Sequence, residues 1–311
     1  MDSRFLESFV MVVENGSFAE TARRLHLTPA AVAQRIRALE TEIGARLVSR
    51  SGRSVRPTPA GTAILDRAKN FLGGVRDLKS IATSDRPSGE LRLGATPTST
   101  SGLLPDILVL LAKRYPQIDV YMQHSVSVEL YHQVLDGHLD AAIIAQPPFA
   151  IPKGYDWRLL RVEPLIVLAP ASARARDPNA VLMSHPLIRQ RRNTWLGRLV
   201  DGYLRHAGIR PRERFELDAL EAIAVMVDRG LGVALVHDWA PPWPEGLALA
   251  KISLATKQFD RRMGLIWNRA SVRVRLVHAF LDVAVEALAA GGAVDAKRKG
   301  AHPRRSRRRS K

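Results

Sequence analysis

The chain contains no cysteine, which excludes disulfides, cysteine-ligated metals, thiol catalysis and sensing by thiol oxidation. No apolar run approaches the roughly 18 residues of a membrane span. The N-terminus opens with Asp2 and Arg4 on an amphipathic stretch, without the pattern of a secretory signal. A cytoplasmic protein is expected. Catalytic signatures are also missing: there is no Gly-x-Ser-x-Gly elbow, no phosphate loop ending in Gly-Lys-Ser/Thr and no His-Glu-x-x-His pair. The histidines are scattered, and His124, His132 and His138 lack the i, i+4 pairing that would set zinc on one helix face. Gly230-Leu231-Gly232 reads as a helix-to-strand turn, since no helix with a third glycine follows it. No enzyme, metal or cofactor is expected.

Acid is scarce as well, with 30 acidic residues against 47 basic ones and a net charge of +17. That balance points to a polyanionic partner. About half of the excess lies between Lys297 and Lys311, a segment with no acid and almost no apolar residue. Such a tail cannot build a core and reads as disordered, either as an inert solvated end or as an arm that holds DNA without reading it. The remaining chain is long enough for two or three domains.

Ser17 and Glu20 form a Ser-x-x-Glu capping box, after which Phe18, Ala22 and Leu25 fall on one helical face. A tight break at His26-Leu27 follows. Thr28 then caps a second helix with Pro29 at its first position, and Val32, Ile36, Leu39 and Ile43 make its apolar stripe. The opposite face carries Thr28, Ala30, Ala31, Ala33, Gln34 and Arg37, slim enough to enter a major groove. Next, Val48 to Arg56 reads as a hairpin that presents Arg50, Arg53 and Arg56 around a Ser-Gly turn, like a wing. Double-stranded DNA is the partner these elements suit.

From Thr58 to Ser80 a long helix is expected. Ile64, Ala68, Phe71, Val75 and Leu78 step by 4, 3, 4 and 3, a heptad seam that asks for a partner helix; packing on its own domain is the alternative. Gly73-Gly74 predicts a bend. Beyond the linker Thr83 to Gly89, strands and helices alternate: Leu91 to Ala95, a helix to Arg114, Ile118 to Gln123, a helix from Ser127 to Leu135, and Ala141 to Ala145. Leu165 to Ala169 opens a second unit. It continues through Leu187-Ile188-Arg189, a helix over Leu196 to Arg205, Phe215 to Leu217, a helix capped by Asp218, and Val233 to Val236. Met263 to Trp267 and a helix over Val272 to Leu288 come last. The pattern predicts an α/β unit with largely parallel strands.

Glu14-Asn15-Gly16-Ser17-Phe18, Ala22, Leu25, Ala31-Val32, Ile36, Leu39-Glu40, Gly44, Leu47, Arg50, Val55, Thr58 and Ala60-Gly61 together resemble the winged helix-turn-helix of LysR-type transcriptional regulators. The resemblance continues at Leu104-Pro105, Tyr115-Pro116, Leu139 to Ala142 and Gly230 to Leu235, and leaves only the tail outside. Pro29, Ala33 and Val48 depart from it, standing where the family often has glutamine, serine and phenylalanine. The first two remove polar groups from the groove-facing helix.

The resemblance implies an α+β multidomain chain. A winged helix-turn-helix covers residues 1–58, and a dimerising linker helix and hinge cover 59–88. A two-lobed effector domain of periplasmic-binding-protein type covers 89–291, with lobe 1 at about 89–160 and 262–291 and lobe 2 at about 161–261. The basic tail is 292–311. It also implies a homodimer or homotetramer and leaves RNA polymerase open as a further partner.

In such a cleft the ligand sits at the carboxyl ends of the strands. The hydroxyl run after the first strand offers Thr98, Ser99 and Thr100 at the start of a helix beginning near Gly102, and the facing lobe offers Arg191 and Thr194 before another helix. Ser125 and Gln146 also fall at strand ends. Helix N-termini and a guanidinium suit a small anion, so a carboxylate effector is expected. Helix capping and a solvated arginine loop are the alternatives at these positions. Trp195 either walls the pocket or belongs to the core. On DNA, the expected contacts are Thr28, Ala30, Ala31, Gln34, Arg37, Arg50 and Arg53. Two other functions remain open: a nucleoid or architectural protein without ligand response, favoured only by the tail, and a solute-binding protein, disfavoured by the capped N-terminal helices.

Overall fold

The computed structural model describes residues 2–51, 54–83, 87–173 and 177–300, which fall into two compact units, Met1–Glu90 and Leu91–Lys311. In the first unit, α1 (Ser3–Asn15) is capped by the Asp2 carboxylate, α2 (Phe18–Arg24) by the Ser17 hydroxyl and α3 (Pro29–Ile43) by the Thr28 hydroxyl. Only the serine half of the expected capping box forms, because Glu20 turns to Arg23 and Arg24 instead. The helices close on Leu6, Phe9, Val12, Ile36 and Leu39, all buried. Each such side chain contributes about 1.5–3 kcal/mol by leaving water.

The wing pairs β1 (Val48–Ser51) with β2 (Ser54–Pro57) antiparallel, Arg50 opposite Val55. The Val55 amide donates to the Gly16 carbonyl at 2.8 Å, which ties the wing to the end of α1. α4 (Pro59–Thr83) follows, its first turn capped by Thr58 Oγ1, which accepts from the Gly61 amide at 3.0 Å. At Gly61 a Cβ would stand 2.0 Å from the Leu47 carbonyl oxygen, so no larger residue fits there.

The expected seam of α4 divides. Ile64, Leu65, Ala68 and Leu72 pack on the core of their own unit, and Lys69 pairs with Glu14 of α1 at 2.8 Å. Phe71 remains 50% exposed. The N-terminal part of the seam is therefore spent within the subunit, because α1 offers it an apolar surface nearby. The helix continues through Gly73-Gly74.

In the second unit, lobe 1 is built on a five-stranded sheet. Its order is β4 (Ile118–His124), β3 (Gly89–Ala95), β5 (Ala141–Ala145), β12 (Arg261–Asn268), β6 (Tyr155–Glu163). β3 and β5 run parallel, whereas β12 is antiparallel to both its neighbours. Packed on it are α6 (Leu104–Arg114), α7 (Ser127–Leu135) and α11 (Val274–Gly300), and the short α5 (Pro97–Gly102) leads into α6.

Lobe 2 has an antiparallel trio, β10 (Ala234–His237), β7 (Leu165–Pro170) and β11 (Leu249–Ser253), and a parallel pair, β8 (Leu187–Gln190) and β9 (Glu213–Leu217). Its helices are α8 (Pro178–Ser184), α9 (Trp195–His206) and α10 (Leu220–Asp228). The chain crosses between lobes at Pro164 and again over 254–260. The Asp260 carboxylate accepts from the Leu165 amide at 3.2 Å and ties the two crossings together.

Several expectations are corrected. The sheets are mixed rather than largely parallel, since β6, β10, β11 and β12 pair antiparallel. β6 runs to Glu163 and β12 starts at Arg261, so lobe 1 holds a few residues assigned above to lobe 2. The helix expected near Gly102 is α6, which begins at Leu104, but a separate six-residue helix, α5, precedes it and carries the hydroxyl run. Asp218 does not cap α10, whose N-cap is Ala219. Residues 292–300 continue α11 as helix where a disordered tail is expected; 301–311 lie outside the described residues. Among the described residues no helix is long and apolar enough to cross a membrane.

Candidate nucleic-acid interface and ligand cleft

On α3, the 3.6-residue period separates two faces. Val32, Ile36 and Leu39 are buried, while Thr28, Ala30, Gln34 and Arg37 are exposed and Ala31 is half-buried. Between this helix and the wing lies a groove of about 370 Å³ lined by Arg37, Arg46 and Arg50. Arg50 is exposed on β1, its guanidinium 6.0 Å from the centre of the Phe18 ring. Arg53 lies outside the described residues. Arg46 is missed by the sequence reading, although a basic residue in the turn before the wing was there to be noticed. Glu40 Oε1 accepts from the Leu47 amide at 2.7 Å and the Val48 amide at 3.2 Å, fastening the wing to α3. A slim helical face beside a basic hairpin can enter a major groove while its guanidiniums meet phosphates.

In the second unit, a cavity of about 340 Å³ opens between the lobes. Lobe 1 lines it with Thr96, Pro97 and Thr98 after β3 and with Ser125 to Glu129 after β4, and lobe 2 adds Gln190, Arg191 and Thr194 after β8 and Asp218 to Glu221 after β9. The N-termini of α7, α9 and α10 all reach it. Neither α7 nor α10 has a side-chain cap, whereas Thr194 Oγ1 caps α9 by accepting from the Gly197 amide at 3.0 Å. A Cβ at Gly197 would stand 2.1 Å from the Arg191 carbonyl oxygen, so the loop can fold this tightly over α9 only at glycine.

The expected ligand residues separate accordingly. Thr98, Ser125, Arg191 and Thr194 line the cavity; Ser99, Thr100 and Gln146 do not. Ser99 is buried with its hydroxyl 2.9 Å from Thr96 Oγ1, and Thr100 Oγ1 donates to the Thr96 carbonyl at 3.1 Å. Both hydroxyls serve the local turn because the run folds into the short helix α5 ahead of α6. Gln146 is exposed and accepts from Arg262 at 2.8 Å. Arg191 reaches the cavity already paired with Asp218 at 2.9 Å. Arg192 is taken by Glu213, whose carboxylate holds the guanidinium pKa above its ordinary value. Trp195 is both wall and core, packed edge-on against Tyr131 and Phe149 at centroid distances of 5.8 and 5.7 Å.

The sequence reading missed Gln190, Glu129, Glu221 and Arg261. The first three sit at a strand end or in first helical turns that pattern reasoning could have searched. Arg261 lies on a strand whose partner is distant in sequence. It is buried with Glu163, and its Nη2 donates to Thr98 Oγ1 at 3.2 Å. Beside this pair is His237, fully buried, whose Nε2 donates to the Phe259 carbonyl at 3.2 Å. Burial, and secondarily the charge of Arg261, lower its pKa to about 3, so the ring is neutral.

Two families match the chain: the bacterial regulatory helix-turn-helix protein, lysR family, over residues 3–62, and the LysR substrate binding domain over residues 84–289. Among curated relatives, the DNA-binding transcriptional dual regulator OxyR of Escherichia coli is 28% identical over 87% of this chain and 90% of its own length. The HTH-type transcriptional regulator CzcR of Bacillus cereus is 30% identical over 76% of this chain and 80% of its own. Among solved structures, full-length OxyR from Pseudomonas aeruginosa superposes with a TM-score of 0.68 at 23% identity, covering 91% of this chain and 94% of that one.

Proposed function

This chain belongs to the LysR family of regulators, and on that premise we propose that a small carboxylate-bearing molecule, held between the two lobes of its effector domain, controls how it binds DNA. The two matched domains make it a DNA-binding transcriptional regulator with an effector-binding domain, of a type that binds small molecules and forms oligomers. In this reading Thr28, Ala30, Ala31, Gln34, Arg37, Arg50 and Arg53 meet the operator. Residues 59–88 pair subunits, and the chain works in the cytoplasm without enzymatic activity.

The observation that carries the ligand reading is the cavity itself, where the N-termini of α7, α9 and α10 converge from both lobes. Backbone N–H groups and helix dipoles favour an anion there. Thr98 and Thr194 belong to this site; Arg191 acts in it as the partner of Asp218 rather than as a free guanidinium. Closure of the lobes on the ligand changes the spacing of paired subunits, provided the ligand has different affinity for the open and closed arrangements. Some curated relatives are named hydrogen peroxide-inducible genes activators. Without cysteine, this chain has no thiol to oxidise, so a peroxide response by thiol chemistry is excluded.

Calorimetry of the full chain against small carboxylates, paired with DNA binding measured with and without each, tests the proposal. A carboxylate that shifts operator affinity should lose its binding in Pro97→Trp, which fills the cavity from an exposed position. Unchanged binding to that variant would place the ligand elsewhere.

A further inference from the structure

The charge left uncompensated in the cleft is negative. Of the acidic and arginine side chains lining it, Arg191 is paired with Asp218 at 2.9 Å and Arg261 with the buried Glu163. Both guanidiniums are already matched. Glu129, in the first turn of α7, receives only the Ser125 hydroxyl among the described residues. Glu221, in the first turn of α10 on the other lobe, has no hydrogen bond or ion pair among the described residues.

Gln190 supplies an independent observation. It lines the cavity, is 4% exposed, and its Oε1 has no hydrogen-bond partner among the described residues. Buried polar atoms in native proteins are almost always satisfied, so an orphaned amide oxygen on a residue beside the cavity marks a side chain that a donor in the cavity would draw toward it. Glu221 and Gln190 Oε1 thus have no donor among the described residues and Glu129 has no cation, around a cavity that also presents the uncapped N–H groups of α7 and α10. The rest of its wall is apolar, with Val126, Trp195, Leu196 and Leu220.

A simple carboxylate would answer the N–H groups and leave Glu221 and Gln190 Oε1 without a donor and Glu129 without a cation. It would also add a negative charge to two unpaired ones. A simple amine would answer the acceptors and leave the helix N-termini bare. Building on the carboxylate reading above, we propose that the effector is an amino acid with an apolar side chain: its carboxylate meets the helix N–H groups, its ammonium is received by Glu221, Glu129 and Gln190 Oε1, and its side chain lies against Trp195.

The test uses the full chain and three skeletons, L-leucine, L-methionine and L-phenylalanine, each with its deaminated acid and its decarboxylated amine. Calorimetry should show at least one amino acid binding about tenfold or more tightly than both of its truncated forms. Glu221→Gln should remove most of that gap by weakening the amino acid while leaving the deaminated acid as tight or tighter. Glu129→Gln, at an exposed position, should act in the same direction. A deaminated acid that matches its amino acid, or a gap untouched by both substitutions, overturns the proposal, as does failure of all three skeletons to bind. If the deaminated acid binds best and Pro97→Trp abolishes that binding, the cleft reading stands and only the ammonium assignment falls. Binding that survives Pro97→Trp removes both.

Discussion

Arg261 and Glu163 face each other across the paired strands β12 and β6, each 2% exposed, at the place where the chain passes from one lobe to the other. The same guanidinium donates to Thr98 in the cavity wall. Removing one partner from a buried pair leaves an uncompensated charge, which typically costs about 3–5 kcal/mol. Glu163→Gln should therefore lower the thermal midpoint clearly, whereas Glu163→Leu combined with Arg261→Met should recover much of the loss. Calorimetric unfolding checks both, and equal loss in the single and double variants would show that the pair matters by shape rather than charge.

His237 predicts an acid limb in stability. Its folded pKa of about 3 lies below the ordinary value of 6.5, so between those values the unfolded chain takes up a proton that the folded chain refuses. The folded state keeps its full advantage above about pH 6.5 and loses up to about 1.4 kcal/mol per pH unit as the pH falls toward 3. His237→Phe keeps a ring of similar size without a titrating group and should flatten this part of the curve. Denaturant midpoints measured from pH 7 to pH 4 would detect a difference of one proton; parallel curves would refute it.

On DNA, Gln34 and Arg50 should behave differently. Gln34 lies on the exposed face of α3, so Gln34→Ala should change preference at one base position by about 1–3 kcal/mol. Arg50 is on the wing, and Arg50→Ala should weaken binding to all sequences alike and reduce the salt slope by about one unit. Competition binding with specific and random duplexes separates the two. Equal losses on both duplexes for Gln34→Ala would remove its reading role.

With Ile64 and Ala68 turned into their own unit, Phe71 is, among the described side chains of α4, the exposed large apolar one that a partner could cover; Leu78 of the seam lies outside them. Phe71→Asp should split the subunits, since pairing would bury an unpaired charge. Sedimentation at low concentration should show the mass fall by half, with the isolated subunit still folded. An unchanged mass would place the interface elsewhere.

Elements with local signatures were legible in the sequence. Ser17, Thr28 and Pro29 announce the starts of α2 and α3, and the period of Val32, Ile36 and Leu39 gives the buried side of α3. What escaped depends on partners far apart in the chain. β6 and β12 meet across about a hundred residues, so neither their antiparallel pairing nor the Arg261–Glu163 pair could be read from a window. The cleft was legible as a place but misread in its charge. Arg191 is visible as a cation in the sequence; that Asp218 neutralises it appears only when β8 and β9 lie side by side. Ser99 and Thr100 were misplaced because a six-residue helix absorbed the loop they were assigned to.

Glu40 grips two successive wing amides with one carboxylate oxygen while standing on α3. Its consequence is metric: the span between the helix proposed to read bases and the hairpin proposed to follow the phosphates is fixed inside each subunit, like the jaws of a caliper set before use. The entropy of holding that span is lost at folding and not at the operator. A duplex whose groove is too narrow or too wide must then deform to fit the protein, and that deformation lets the regulator discriminate among sequences it never touches.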